Sequence, residues 1–261
     1  MTTRPFALPR RVPPTVAAVV AGASLAAAGW RWYRLAQLRR VGDRLADAAV
    51  VFERPADGHA ATVLVIGDST GVGTGANRPE DSIAGLLAAQ FPHAAIVNRA
   101  RNGARTLDAL LQVADAATAR YDLVLIHVGG NDVLRRTPLR ALRPQVDALV
   151  ARACRLADHV VVTTTPNVGL VPAFAPPESW WLTRRSREVC RLFEDAARRH
   201  GAHYVDFFHT KATDPFSREP RRFFAEDGLH PSTDCYRYVY EDLVARAPIA
   251  AALAPGRPGG P

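Results

Sequence analysis

The chain has few of the residues from which several kinds of protein are built. Three of its 261 residues are cysteine (Cys154, Cys190 and Cys235), widely spaced and without a C-x-x-C pair. Neither a disulfide framework nor a cysteine zinc site is indicated. Two readings remain: three small core hydrophobes, or one bridging pair if the domain is exported. The chain has no H-E-x-x-H, and His59, His93, His127, His159, His200, His203 and His209 show no ligand spacing, so structural or surface roles are expected of them. It also lacks G-x-x-x-x-G-K-[ST], so Gly71, Gly73 and Gly75 are expected to form a flexible rim and not a phosphate loop. Lysine is almost missing: Lys211 stands alone among 33 basic residues. With 48% hydrophobic and 22% charged residues, a packed core is expected and wholesale disorder is not.

Charge of one sign is missing from the start of the chain. Residues 1–41 hold seven arginines and no acid, which leaves a net +1 for residues 42–261 out of the total of +8. The body is therefore nearly neutral, and no nucleic-acid partner is expected despite a pI near 10.1. Residues 12–30 carry no charge. As a helix they would span roughly 28 Å, close to the ~30 Å hydrocarbon core of a bilayer. Trp30, Trp32 and Tyr33 lie beside Arg31 and Arg34, like an interfacial belt. The first expectation is a membrane contact through residues 12–33 as an uncleaved single-span anchor. The alternatives are a signal peptide cleaved near Ala26-Ala27-Ala28, followed by export, or a soluble amphipathic arm. The arginine-flanked segment gives no orientation.

Four units are expected: 1–41, the basic segment with its anchor or signal; 42–60, a polar connector; 61–246, the catalytic domain; and 247–261, a tail that is Pro/Gly-rich and disordered from Pro255. Within 61–246, short β-branched runs at 62–66, 95–98, 123–128, 159–164 and 203–206 read as strands. They alternate with helical periodicity at 81–91, 106–120, 138–156, 178–200 and 233–246. Such alternation implies an α/β protein with a mostly parallel five-stranded sheet and helices on both faces. Ligand sites in such sheets form at the carboxyl ends of the strands.

Four polar clusters fall there. They are Gly67-Asp68-Ser69-Thr70, Asn98 to Gly103, Gly129-Gly130-Asn131-Asp132, and Asp227-Gly228-Leu229-His230. Each has a task in acyl transfer. A serine hydroxyl needs a base, and histidine supplies one near neutrality. Asp227, three residues before His230, can hold its imidazole in one tautomer. The backbone N–H groups of Ser69 and Gly103 and the side-chain amide of Asn131 can converge on an oxyanion. Asp68 and Asp132 are expected to shape their loops and take no part in the chemistry.

These clusters, in this order, resemble the blocks of the SGNH (GDSL-type) hydrolase superfamily, over residues 61–244. The resemblance matches Ser69 to the nucleophile, Gly103 and Asn131 to the oxyanion donors, and Asp227 and His230 to the remaining triad members. It implies a flavodoxin-like three-layer α/β/α sandwich and a cofactor-free, metal-free serine esterase or lipase acting through an acyl-enzyme. The substrate would be a small-molecule, lipid or glycan ester; thioester hydrolysis, or acyl transfer to another alcohol, would use the same groups. A membrane-tethered binding protein that keeps the fold without catalysis is the rival reading. Thr70 replaces the family's leucine, and Ala100 replaces the first glycine of the second block, which would make that loop less free. Residues 167–181 hold Leu170, Phe174, Trp180 and Trp181, either as an apolar wall for an acyl chain or as a loop packing its aromatics on the core. Arg184, Arg185 and Arg187 read as a solvated helix face.

Overall fold

The computed structural model describes residues 13–56, 61–117 and 119–254. Five strands, β1 (Ala61–Gly67), β2 (Ala94–Asn98), β3 (Tyr121–His127), β4 (Ala157–Thr163) and β5 (His203–Val205), form one sheet in the order β2-β1-β3-β4-β5, with every pair parallel. The helices are α1 (Pro14–Ala48), α2 (Ser69–Val72), α3 (Ile83–Gln90), α4 (Thr106–Asp115), α5 (Gly130–Leu134), α6 (Leu139–Leu156), α7 (Glu178–His200), α8 (Pro220–Phe223), α9 (Thr233–Arg246) and α10 (Ile249–Ala252).

Strand alternation divides the core in two. Leu64, Ile66, Val124, Ile126 and Val162 point to a layer made by α4, α6 and α7, where Val113, Val146 and Phe193 meet them. Val63, Val65, Leu123, Leu125 and Val161 point the other way, onto Ile83 and Leu87 of α3 and Tyr236 and Leu243 of α9. Both faces of the strands are buried, which explains their near-continuous apolar runs. The three-layer sandwich expected from the alternation is thus present. Its chain order reverses between β1 and β3, so the loops after those two strands open a crevice.

Three expectations about the flanks change, and one about α7. Among the described residues no helix is long and apolar enough to cross a membrane. The alanine-rich stretch is instead the first part of the 35-residue α1, which continues through Arg31, Arg34, Arg39, Arg40 and Asp43. The arginines at 4, 10 and 11 lie outside the described residues.

The connector expected over 42–60 is structured through residue 56, the last one described before position 61. Residues 42–48 are the end of α1, and Phe52 packs against the core layer of α3 and α9. Arg54 makes an antiparallel bridge with Ile96 on the free edge of β2, and its guanidinium donates to the carbonyls of Ala88, in the last turn of α3, and Pro92, just past it. This segment covers a sheet edge and satisfies open carbonyls at a helix end.

The tail contributes to the core through Ile249 and Leu253, both buried, and the Leu253 carbonyl lies 2.6 Å from His93 Nε2. Residues from Pro255 on lie outside the described residues. Finally, Arg185 is buried and donates to the Thr137 carbonyl, so it leaves the solvated face assigned to it. The three cysteines are free thiols; Cys190 and Cys235 are buried and Cys154 is half-buried.

Candidate active site

Ser69 begins α2 immediately after β1. Gly67 makes this turn possible: its φ is +153°, and a Cβ there would lie 2.0 Å from the His127 carbonyl oxygen. Asp68 N–H donates to that same carbonyl at 2.9 Å, and Asp68 Oδ1 accepts the N–H of Thr70 at 3.0 Å, capping α2. As expected, then, Asp68 shapes the loop. Burial pushes its carboxyl up to about 6, against the lowering pull of the Thr70 N–H and of His230.

A brace the sequence reading did not pick out lies beneath. Gln112 of α4 donates from Nε2 to the Gly67 carbonyl at 3.0 Å and accepts the Gly67 N–H on Oε1 at 2.8 Å. It is buried beside Ala109 and Val113. A polar side chain on the apolar stripe of a helix was the available signal.

The glycines after Ser69 are not a flexible rim. Gly73 and Gly75 have φ of +92° and +93°. A Cβ on Gly75 would stand 2.3 Å from the Pro231 carbonyl oxygen and 3.3 Å from His230 Cβ. The small size of Gly75 lets the serine loop press against the histidine loop, while Gly73 makes room for Ser82 at the start of α3.

That second loop holds itself together. Asp227 Oδ1 accepts the N–H groups of Leu229 and His230, both at 3.0 Å, and Oδ2 lies 2.5 Å from His230 Nδ1. Gly228 takes φ +63° to close the turn. Burial raises the Asp227 carboxyl, but the His230 hydrogen bond, its charge and the two backbone donors outweigh it, and the net shift is below the ordinary carboxylate value. With Nδ1 committed to Asp227, Nε2 is the ring nitrogen left to serve the cavity.

Gly103 adopts φ +74°, a left-handed conformation that favours glycine. Asn98 fixes the loop before it, donating to the Gly71 carbonyl and accepting the Ala100 N–H. Ala100, where the family pattern has glycine, is buried against Gly71, whose missing Cβ leaves room for the methyl group. Asn131, in α5, donates from Nδ2 to the Ala104 carbonyl at 3.1 Å, which draws the loops after β2 and β3 together. Asp132, fully buried, accepts both the N–H and the hydroxyl of Thr106 and so braces its loop as expected.

Two cavities meet at Ser69, Asn131, Leu229 and His230. One, of about 140 Å³, is the narrower and more enclosed of the two and is walled by Val168, Val171, Phe207, Phe216, Phe224 and Val239. His127 also lines it; burial pulls this imidazole down to about 4, and its Nδ1 lies 2.5 Å from Thr163 Oγ1. The other, of about 430 Å³, is more open and runs between the domain and α1.

The apolar wall expected from Leu170, Phe174, Trp180 and Trp181 is only partly present. Phe174 lines the open cavity, and Val168 and Val171, neighbours of Leu170, line the enclosed one, but Leu170 itself lines neither. Trp180 and Trp181 sit on the first turn of α7, 70% and 39% exposed, with Arg136 over the Trp181 ring. The helix starts at Glu178, and its buried stripe runs through Ser179 and Leu182, so both indoles point away from the cavities. The rest of the apolar walls comes from the irregular stretch before α9 and from α1, segments without periodicity or with an ambiguous one. Among the described residues no three His, Cys, Asp or Glu side chains gather as a metal-holding group.

A parallel sheet ordered 2-1-3-4-5, with a serine, an Asp-His pair and an asparagine gathered at its carboxyl edge, has the architecture of an SGNH hydrolase. The model of the GDSL-like lipase/acylhydrolase family matches residues 65–238, and the chain belongs to that family and is a hydrolase of ester bonds. It is 26% identical over 230 residues to the GDSL-like esterase Rv1075c of Mycobacterium tuberculosis, covering 79% of this chain and 69% of that protein. The fold is similar to an extracellular lipase of Streptomyces rimosus (TM-score 0.59, 21% identity, 72% of this chain and 100% of that one). It is also similar to a psychrotrophic esterase of a Pseudoalteromonas species (TM-score 0.54, 20% identity, 71% and 96%).

Proposed function

We propose that this esterase cleaves its substrate with Ser69 as nucleophile, His230 as general base and then general acid, and Asp227 as the carboxylate that orients the imidazole. The observation that carries the reading is the junction itself. The Asp227–His230 pair, at 2.5 Å, reaches the point where Ser69 and Asn131 border both cavities.

His230 Nε2 takes the Ser69 proton as Oγ attacks the ester carbonyl. The tetrahedral oxyanion is met by the N–H groups of Ser69 and Gly103 and by Asn131 Nδ2. On collapse the C–O bond to the alcohol breaks, and His230 returns the proton to the departing oxygen. A water molecule then repeats the sequence on the acyl-serine and releases the acid. Asp227 remains ionised throughout, in keeping with its lowered pKa. The apolar lining of the enclosed cavity suits the acyl part of the ester.

The test is hydrolysis of p-nitrophenyl esters of increasing acyl length, together with labelling by a fluorophosphonate, on wild type and Ser69→Ala. Both signals are expected in wild type and lost in the variant. Labelling that persists in Ser69→Ala would sink the assignment.

A further inference from the structure

The helix α1 lies outside the segment that the family shares, residues 65–238, yet it forms one side of the open cavity. Leu35, Leu38, Gly42 and Ala46 fall at helical spacing on one stripe, all half-buried, and all four line that cavity together with Ser69, Gly103, Asn131 and His230. Half-burial is what a helix shows when it spans a gap: its stripe faces the domain across open space.

The helix is fixed at three levels. Arg31 pairs with Glu178 at 2.9 Å near one end of the contact. In the middle, a Cβ on Gly42 would come 3.0 Å from Asp227 Oδ2, the same oxygen that holds His230. Near the other end Asn102, next to Gly103, donates from Nδ2 to the Ala46 carbonyl at 2.9 Å.

We propose that α1 is part of the substrate site, and that the cavity beneath it receives the alcohol portion of an ester whose acyl portion fills the enclosed cavity. The proposal rests on the reading of Ser69 as nucleophile. The assignment of the two arms follows from the order of events. The acyl group stays bonded to serine after the first step and needs no exit at that point, which suits the narrower, more enclosed arm. The alcohol must leave and water must enter before the second step, and the wider, more open arm offers the freer passage.

The lining sets the chemistry of the alcohol. Leu35, Leu38, Ala173 and Phe174 give an apolar wall near the scissile bond, and the exposed Arg39 and Asp43 give a polar rim farther out. A bulky alcohol, apolar near its ester oxygen and polar at its far end, fits better than methanol or ethanol. Leu38 and Leu35 are then specificity-determining residues that act on the leaving group.

The experiment uses the full chain and two acetate esters, 1-naphthyl and methyl, so that the acyl group is constant. Leu38→Trp, which fills the arm, is expected to lower the ratio of kcat/KM for the naphthyl ester over the methyl ester about tenfold. Leu35→Ala, which enlarges the arm and guards against a misfolded tryptophan variant, is expected to change that ratio while leaving the ranking of p-nitrophenyl acyl chain lengths as in wild type. If both variants keep the wild-type ratio, or change acyl ranking instead, the proposal is overturned while fluorophosphonate labelling of Ser69 leaves the catalytic reading standing. Wild type inert to both esters and probe would overturn the catalytic reading and this proposal with it.

Discussion

On the sheet side of the cleft the three loops that carry Ser69, Gly103 and Asn131 are tied down by buried polar bonds, Gln112 to both backbone groups of Gly67, Asn98 between Gly71 and Ala100, and Asp132 to Thr106, while the Asp227–His230 loop is held by its own Asp227 bonds. On the opposite side α1 reaches the domain through an ion pair with both partners partly exposed, one amide-to-carbonyl bond and a close pass at Gly42. The first arrangement holds atoms to a fraction of an ångström, as acyl transfer demands. The second fixes a wall whose position can shift at little energetic cost. Chemistry and selectivity are thus carried by regions of different rigidity, and substitutions on the two sides are expected to separate into large effects on rate and stability and smaller effects on substrate choice.

The sharpest break on the rigid side is Asp227→Asn. The amide keeps the shape of the loop but presents no carboxylate to Nδ1, and kcat is expected to fall by roughly 10⁴-fold with the unfolding midpoint little changed. A fall of only a few-fold would mean that the imidazole is oriented by something other than Asp227. Gln112→Leu comes next. It strands the buried N–H and carbonyl of Gly67, and a loss of about 2–4 kcal/mol is expected in urea unfolding.

Asp68 tests the same side through pH. Its folded value, raised to about 6, means the folded chain binds this proton more tightly than the unfolded chain does. The stabilisation it gives is complete below the ordinary value near 3.8 and is lost as pH rises through 6, a change of about 3 kcal/mol. Asp68→Asn still accepts the Thr70 N–H and never ionises. It is expected to match wild type near pH 3.5 and to exceed it by roughly that amount at pH 8. Thermal unfolding across this range checks the sign, and parallel curves for the two proteins would refute it.

The two sides were also unequally legible in the sequence. Ser69 and Asn131 were readable because strand periodicity places the residues just after β1 and β3 at one sheet edge, whatever the intervening helices do, whereas Gly103 and the Asp227–His230 pair, which no strand directly precedes, were readable from the D-x-x-H spacing and the family resemblance. The crevice between β1 and β3 follows from the same topology. The wall α1 was not readable. A stretch of alanine and valine flanked by arginine carries one pattern for a bilayer span and for a helix lying on a protein, and only the continuation through Leu35, Leu38, Gly42 and Ala46 distinguishes them. The enclosed cavity was hidden for another reason: Phe207, Phe216 and Phe224 come from a stretch without periodicity, so their convergence depends wholly on tertiary packing. Gln112 and Leu253 each gave a one-residue signal, a polar group in an apolar stripe and an apolar pair before a proline-rich end.

On the α1 side, Gly42→Val places a methyl-bearing Cβ where only 3.0 Å separates it from Asp227 Oδ2. Either the helix lifts or the carboxylate turns from His230. Both lower kcat/KM, by about tenfold, with a stability change under about 1 kcal/mol because α1 lies outside the two core layers. A stability loss as large as that of Gln112→Leu would erase the distinction between the two walls.

The smallest effect is expected at Arg31. The pair with Glu178 leaves both side chains about a third or more exposed, so solvent screens it and its contribution is at most about 1 kcal/mol. Arg31→Ala is therefore expected to shift Tm by less than about 4 °C. Its consequence should be local. With the pair gone, the polar tie of α1 to the domain that remains is the Asn102 bond to Ala46, and the helix before Leu35 loses its tie to α7. Amide hydrogen exchange is then expected to quicken in residues 31–38 while β1 and β3 keep their protection, because opening there breaks no contact of the sheet. Since Leu35 and Leu38 lie in the loosened stretch, selectivity between bulky and small alcohols should weaken along with exchange protection, with turnover of small esters responding least. Protection lost evenly across helix and sheet would show that α1 unfolds only with the domain, and that the wall over Ser69 is as rigid as the floor beneath it.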